Sequence, residues 1–158
     1  VQAVVSPPRL GTVGGMANSV VACPSCGTRN RVPHSAAGVA QCAECHSGLP
    51  WLVDAGDGDF DAVVGTSLLV IVDLWAPWCG PCRMVAPILQ QLSSDFAGRI
   101  KVVKVNVDEA PMVAQRYDAR SIPMLLFMRD GEVVNTVIGA QPDHVLRTLI
   151  EGELRVRG

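Results

Sequence analysis

Long apolar runs are missing from this 158-residue chain. Leu68 to Val72, among the longer uninterrupted stretches, is far short of the roughly 20 residues needed to cross a bilayer, so no membrane anchor is expected. A large imbalance of charge is missing too. With 49% apolar and 18% charged residues and a formal net charge of −2, the composition is that of a soluble globular protein. The N-terminal stretch has Arg9 as its only charge and is broken by Pro7-Pro8 and Gly14-Gly15. It therefore lacks the continuous apolar core of a signal peptide, and an intracellular, cytoplasmic protein is expected. Internal repeats and low-complexity tracts are absent as well. The length suits one main domain with a small appendage. Residues 1–15 are expected to stand outside the fold, either as sequence appended ahead of a start at Met16 or as a disordered segment. Residues 16–50 and 51–158 are then the two folded units.

Six cysteines fall into three Cys-x-x-Cys pairs. The first two pairs, Cys23/Cys26 and Cys42/Cys45, are separated by residues 27–41, a spacing suited to a four-cysteine zinc ribbon. Four thiolates complete a tetrahedron and leave no position open to water, so one structural Zn2+ per chain is expected there. The segment needs such a staple, because Thr28 to Cys45 offers only Val32, Val39 and a few alanines as core. Two local disulfides or free thiols are the alternative, more expected of an exported protein. His34, His46 and His144 read as surface histidines. Nucleic-acid binding is disfavoured, since Arg29 and Arg31 are the only strong cations between Cys23 and Cys45 and no aromatic residue lies there to stack on bases.

The third pair sits in Trp78-Cys79-Gly80-Pro81-Cys82. The run Leu68–Trp75 reads as a buried strand, while Val85, Ile88, Leu89, Leu92 and Phe96 recur with helical period, so the motif lies where a strand hands over to a helix. A helix N-terminus presents unpaired N–H groups and partial positive charge, which favours a thiolate at Cys79 and makes it the expected nucleophile. Further along, Trp51–Val53 begins the second domain as a strand and 59–64 is a short helix. Residues 101–108 form a strand and 112–117 a helical turn or two. Residues 124–128 and 133–138 form a hairpin across Asp130-Gly131, and a helix from about Pro142 to Arg155 follows. This order predicts an α/β fold, a central mixed sheet with helices on both faces, preceded by the small zinc module.

From about Trp51 to Arg157 the chain resembles the thioredoxin family. Val72-Asp73-Leu74-Trp75-Ala76 is similar to the segment carrying that family's buried aspartate. Pro87 matches its helix-kinking proline, Lys104 its buried lysine, Ser121-Ile122-Pro123-Met124 its cis-proline loop and Gly139 the glycine beside the substrate groove. Leu74, where Phe is common, and Pro77 depart from the pattern without touching the chemistry. The Cys-Pro-Ser-Cys-Gly-Thr-Arg-Asn-Arg-Val-Pro run resembles the zinc-containing bacterial branch of the same family.

The resemblance implies reduction of protein disulfides by a redox-active Cys79–Cys82 pair. Cys79 would attack a target disulfide and Cys82 would resolve the adduct. Asp73 would accept the Cys82 proton, moderated by Lys104. Trp78, Gly80, Pro81, Ile122, Pro123 and Gly139 would line the substrate groove. Pro81 before Cys82 resembles the reducing type, with a potential of about −270 mV. The implied partners are disulfide-containing proteins and an NADPH-dependent thioredoxin reductase, with the chain acting as a monomer. The alternative reading is a redox- or zinc-responsive binding or chaperone-like protein: a binding module would keep its function when Cys79 is replaced, and a sensor would lose zinc on oxidation.

Overall fold

The computed structural model describes residues 4–5 and 18–157, so Met16 and most of the 1–15 segment lie outside the described residues. Within that segment, strand β1 (Val4–Val5) pairs antiparallel with β4 (Ala40–Gln41), which corrects the expectation that all of 1–15 stands apart from the fold. β2 (Asn18–Ala22) and β3 (Arg29–Pro33) form a second antiparallel ribbon, with Asn18 opposite Pro33 and Ala22 opposite Arg29. The four cysteines sit in the turns that follow β2 and β4.

The main sheet has five strands in the order β5-β7-β6-β8-β9. β5 (Leu52–Asp54), β7 (Ile100–Asn106) and β6 (Leu69–Trp75) run parallel; β8 (Met124–Arg129) and β9 (Glu132–Ile138) complete it antiparallel. β6, β7 and β8 are mixed-sheet strands covered on both faces, which is why they read as nearly unbroken apolar runs. α2 (Gly80–Asp95) and α4 (Asp143–Arg157) bury Val85, Leu89, Leu92, Leu146 and Ile150 against Leu69, Ile71, Ile100, Val102, Leu125 and Phe127. On the opposite face α1 (Phe60–Val63) and α3 (Pro111–Arg116) cover Val70, Val72, Leu74, Val103 and Val105. Among the described residues no helix is long and apolar enough to cross a membrane.

The N-terminal module shares that second core. Val32, Ala36, Ala40, Cys42 and Leu49 belong to the same apolar cluster as Trp51, Val53, Phe60 and Val63. The few apolar residues of the module are thus supplemented by the sheet, and a metal is not its sole support. Trp51 precedes the strand it was expected to begin; its indole N–H donates to the Pro33 carbonyl at 3.0 Å. Gly48 is a point of close approach, since a Cβ there would lie 2.7 Å from the Ala97 carbonyl oxygen and from Gly98 Cα. Gly98 itself has φ +83°, a conformation that favours glycine.

Lys101 pins the two parts together. Fully buried, its ammonium donates to the His34 carbonyl at 2.6 Å and to the Val63 carbonyl at 2.5 Å, and it lies 4.0 Å from the centre of the Trp51 ring. Desolvation lowers its pKa to about 7, although two carbonyl dipoles and a ring face favour the ammonium. Unfolding restores a value near 10.4, so between about pH 7 and pH 10 the unfolded chain binds the extra proton and stability rises with pH, by up to about 1.4 kcal/mol per pH unit. Urea unfolding across that range is expected to show this slope in the wild type. Lys101→Met is expected to lose it, because the variant has no proton to exchange there.

Candidate active site and cysteine cluster

Extended β6 ends at Trp75, and the chain turns through Ala76-Pro77-Trp78 into α2. Cys79 is the residue capping that helix: its sulfur accepts the Cys82 backbone N–H at 3.3 Å, and Pro81 stands in the first turn, where its missing N–H costs no hydrogen bond. Cys79 and Cys82 are joined by a disulfide with their Cα atoms 5.3 Å apart. Exposure separates the two residues little, with Cys79 5% and Cys82 2% accessible. Their surroundings separate them better. Cys79 Sγ lies 3.8 Å from the Ile122 carbonyl oxygen, whereas Cys82 is inside the first helical turn.

The loop facing the dithiol contains the cis Ile122–Pro123 peptide bond. Pro123 accepts the Gly139 N–H at 2.8 Å, and Gly139 has φ +91° with open space where a side chain would be. Gly80 likewise faces open space. Trp78 is 67% exposed beside the disulfide, and its indole N–H donates to the Asp108 carboxylate at 3.1 Å. Asp108 was not anticipated from the sequence, where an acidic residue after a strand carries no specific signal. A cleft of about 370 Å³ lined by Met84, Val85, Ile88, Ala140, Gln141 and Pro142 adjoins Gly139.

On β6, Asp73 is 1% exposed and neither carboxylate oxygen has a hydrogen-bond partner. Burial raises its pKa to about 6, and the positive charge of Lys104 opposes that rise. Asp73 and Lys104 occupy paired positions on β6 and β7. Lys104 is half-buried rather than buried, and its ammonium sits 4.8 Å from the centre of the Trp75 ring. The buried lysine of this sheet is Lys101, three positions earlier on the same strand; its environment comes from His34 of the N-terminal module together with Val63 and Trp51, which strand patterning does not reveal. Pro87 lies inside α2 as expected.

The other four cysteines converge. Their sulfurs all lie within 4.8 Å of one another, with Cys23 against Cys45 at 3.5 Å and Cys26 against Cys42 at 3.6 Å. A tetrahedral site with metal–sulfur bonds of about 2.3 Å has sulfur–sulfur edges of about 3.8 Å, so this donor set fits zinc. None of the four is in a disulfide. The two pairs adopt the same turn: the Cys23 and Cys42 N–H groups donate to the Thr28 and Ser47 carbonyls, both at 2.8 Å, and Gly27 and His46 occupy the equivalent left-handed position at φ 79° and 64°. Hydrogen bonds from the Cys45 backbone N–H first, and then from the Asn30 amide, lower the Cys42 thiol to about 6 against the opposing effect of desolvation. His46 and His144 are exposed, as expected. His34 is a correction: it is partly buried and hydrogen-bonded to Ser19 Oγ at 2.8 Å.

A mixed five-stranded sheet with a disulfide at the start of α2, opposite a cis-proline loop, defines a thiol–disulfide oxidoreductase. The Thioredoxin family model matches residues 52–152. Over 92 residues the chain is 49% identical to "Thioredoxin 1" of Synechococcus elongatus, covering 58% of this chain and 86% of that protein. Over 95 residues it is 46% identical to "Thioredoxin" of Haemophilus influenzae, covering 60% and 89%. "Thioredoxin M-type, chloroplastic" of Pisum sativum is 50% identical over 91 residues, covering 58% of this chain and 53% of that one. The chain belongs to the thioredoxin family, and it is a protein-disulfide reductase. Residues 18–51, with all four clustered cysteines, precede the matched region.

Proposed function

We propose that this protein is a thioredoxin of the zinc-containing bacterial type, thioredoxin 2, acting in the cytoplasm as a monomer. The observation that carries this finer reading is the convergence of Cys23, Cys26, Cys42 and Cys45 in a module ahead of the reductase core. Those four residues hold one structural zinc ion, whose bonds to sulfur brace two turns that have little core of their own. A reducing compartment suits their free thiols.

In the reduced enzyme, the Cys79 thiolate at the N-terminus of α2 attacks one sulfur of a target disulfide. The other target sulfur leaves and takes up a proton. Cys82 gives its proton to Asp73 and attacks Cys79 Sγ, closing the intramolecular disulfide and releasing the second target thiol. Two electrons pass to the target, and an NADPH-dependent thioredoxin reductase returns two to the Cys79–Cys82 pair. An extended target segment lies between Trp78 and the Ile122–Pro123 loop, with Gly80, Pro81 and Gly139 leaving room for its backbone. Lys104 keeps Asp73 from rising further in pKa.

Metal analysis of the reduced protein is expected to give about one zinc per chain, lowered by Cys23→Ser or Cys42→Ser. Insulin-disulfide reduction with reductase and NADPH is expected to persist, at least in part, after zinc removal. A fully reduced chain without zinc would remove the subtype assignment, and a zinc-loaded chain inert towards insulin would remove the assignment of target class.

A further inference from the structure

The geometry points to Asn30 as a positioning residue of the cysteine cluster, holding the Cys42 sulfur in place and thereby slowing metal release. This rests on the reading of the four cysteines as a metal site. Asn30 is a polar side chain with no accessible surface, placed on β3 after the first cysteine pair. Its amide nitrogen donates to the Thr28 carbonyl at 3.0 Å and to Cys42 Sγ at 3.5 Å. Its amide oxygen accepts the Ala43 N–H at 3.0 Å. One side chain therefore joins the turn of the first pair to both the ligand and the backbone of the second. No other side chain among the described hydrogen bonds spans the two pairs in this way.

The cysteines divide by burial: Cys23 and Cys42 are buried, while Cys26 and Cys45 are exposed. The exposed pair has hydroxyl neighbours, with Cys26 Sγ 3.2 Å from Thr28 Oγ1 and Cys45 Sγ 3.3 Å from Ser47 Oγ. Water can replace a hydroxyl at an exposed sulfur. It cannot replace the Asn30 amide, because a side chain with no accessible surface leaves no path for solvent to Cys42. Removing Asn30 thus leaves Cys42 without its side-chain donor, with backbone N–H groups of its own turn alone, and the Ala43 N–H without an acceptor. Partners of this kind, one shell beyond the ligands, are typically worth 10- to 100-fold in metal affinity.

Co2+ serves as the probe in the full-length chain, because four-thiolate cobalt has a sulfur-to-metal charge-transfer band whose energy follows electron density on sulfur. A hydrogen bond to sulfur withdraws density. Asn30→Ala is expected to release Co2+ to a chelator about 10- to 100-fold faster than the wild type. At saturating Co2+ it is expected to show a charge-transfer band at lower energy. Thr28→Val is expected to do much less. Asn30→Asp keeps the shape and the acceptor for Ala43 while replacing the amide donor, so it decides the matter if Asn30→Ala folds poorly; faster release with a shifted band is expected again. A brace with no influence on the ligand would change thermal stability and leave the band where it is. An unshifted band with release no faster than wild type in Asn30→Asp, or equal effects from Thr28→Val and Asn30→Ala, would overturn the inference. A wild-type chain that takes up no Co2+ would instead overturn the metal-site reading on which it rests.

Discussion

Cys82→Ser is expected to turn the protein into a trap that accumulates mixed disulfides with its targets, whereas Cys79→Ser is expected to form none. The asymmetry follows from how α2 begins. Cys79 is the N-cap, facing the Ile122 carbonyl and the exposed Trp78, and its sulfur accepts the Cys82 N–H. The unpaired N–H groups and partial positive charge of the helix start stabilise the Cys79 thiolate before any target arrives. Cys82 lies in the first turn, where the intramolecular partner is closer to it than any target sulfur. Once Cys79 has bonded to a target, only Cys82 is held within reach of that new bond. A serine hydroxyl cannot displace sulfur under these conditions, so the adduct falls back on uncatalysed exchange, on the order of minutes to hours. Non-reducing gels of the two variants incubated with an oxidised protein target are the measurement. Equal trapping by both would reverse the assignment of nucleophile.

The parts of this site that were legible in the sequence are those whose signal is local. Asp130-Gly131 announced a hairpin because both residues must adopt positive φ, and they do so at 51° and 80°. The two Cys-x-x-Cys turns announced their convergence through spacing alone, and β6 and α2 placed the dithiol at a strand-to-helix junction. What escaped the sequence depends on contacts between distant segments. Lys101 looks like an ordinary strand lysine, and the carbonyls that hold its ammonium come from distant segments, at Val63 and, 67 positions earlier in the chain, at His34. Asn30 looks like a turn-adjacent polar residue until the second cysteine pair is folded over it. The apparent poverty of the module's core has the same origin, since its missing partners are Trp51, Val53, Phe60 and Val63 of the following domain. The match to the family pattern placed Lys104 in the interior, yet its long aliphatic stem lets the ammonium reach the Trp75 face at a half-buried position.

Asp73→Asn is expected to slow resolution of the mixed disulfide while making the folded protein more stable. The kinetic effect arises because Cys82 must lose a proton before it attacks. As the acceptor proposed for that proton, a carboxylate with a pKa of about 6 can take it near neutral pH, and an amide cannot. General-base assistance contributes typically about 100-fold or more, so resolution is expected to fall by about that factor while the first attack by Cys79 changes little. The stability effect has the opposite sign. Desolvation dominates at Asp73, the positive charge of Lys104 offsets only part of it, and neither oxygen has a hydrogen-bond partner in the protein. The folded carboxyl therefore holds its proton up to about pH 6, while the unfolded one loses it near pH 4. Between those values the folded state binds more protons, so the ionisable side chain destabilises it progressively as pH rises, by about 3 kcal/mol once both forms are ionised. Asparagine carries no such dependence. The stability gain of the variant is expected to be small below pH 4, to grow through pH 6 and to level off above it. Denaturant unfolding at several pH values checks this profile, and rapid-mixing kinetics with a disulfide target checks the two exchange steps separately. A variant less stable at every pH, with an unchanged resolving step, would make Asp73 a structural partner of Lys104 and leave the Cys82 proton to another acceptor.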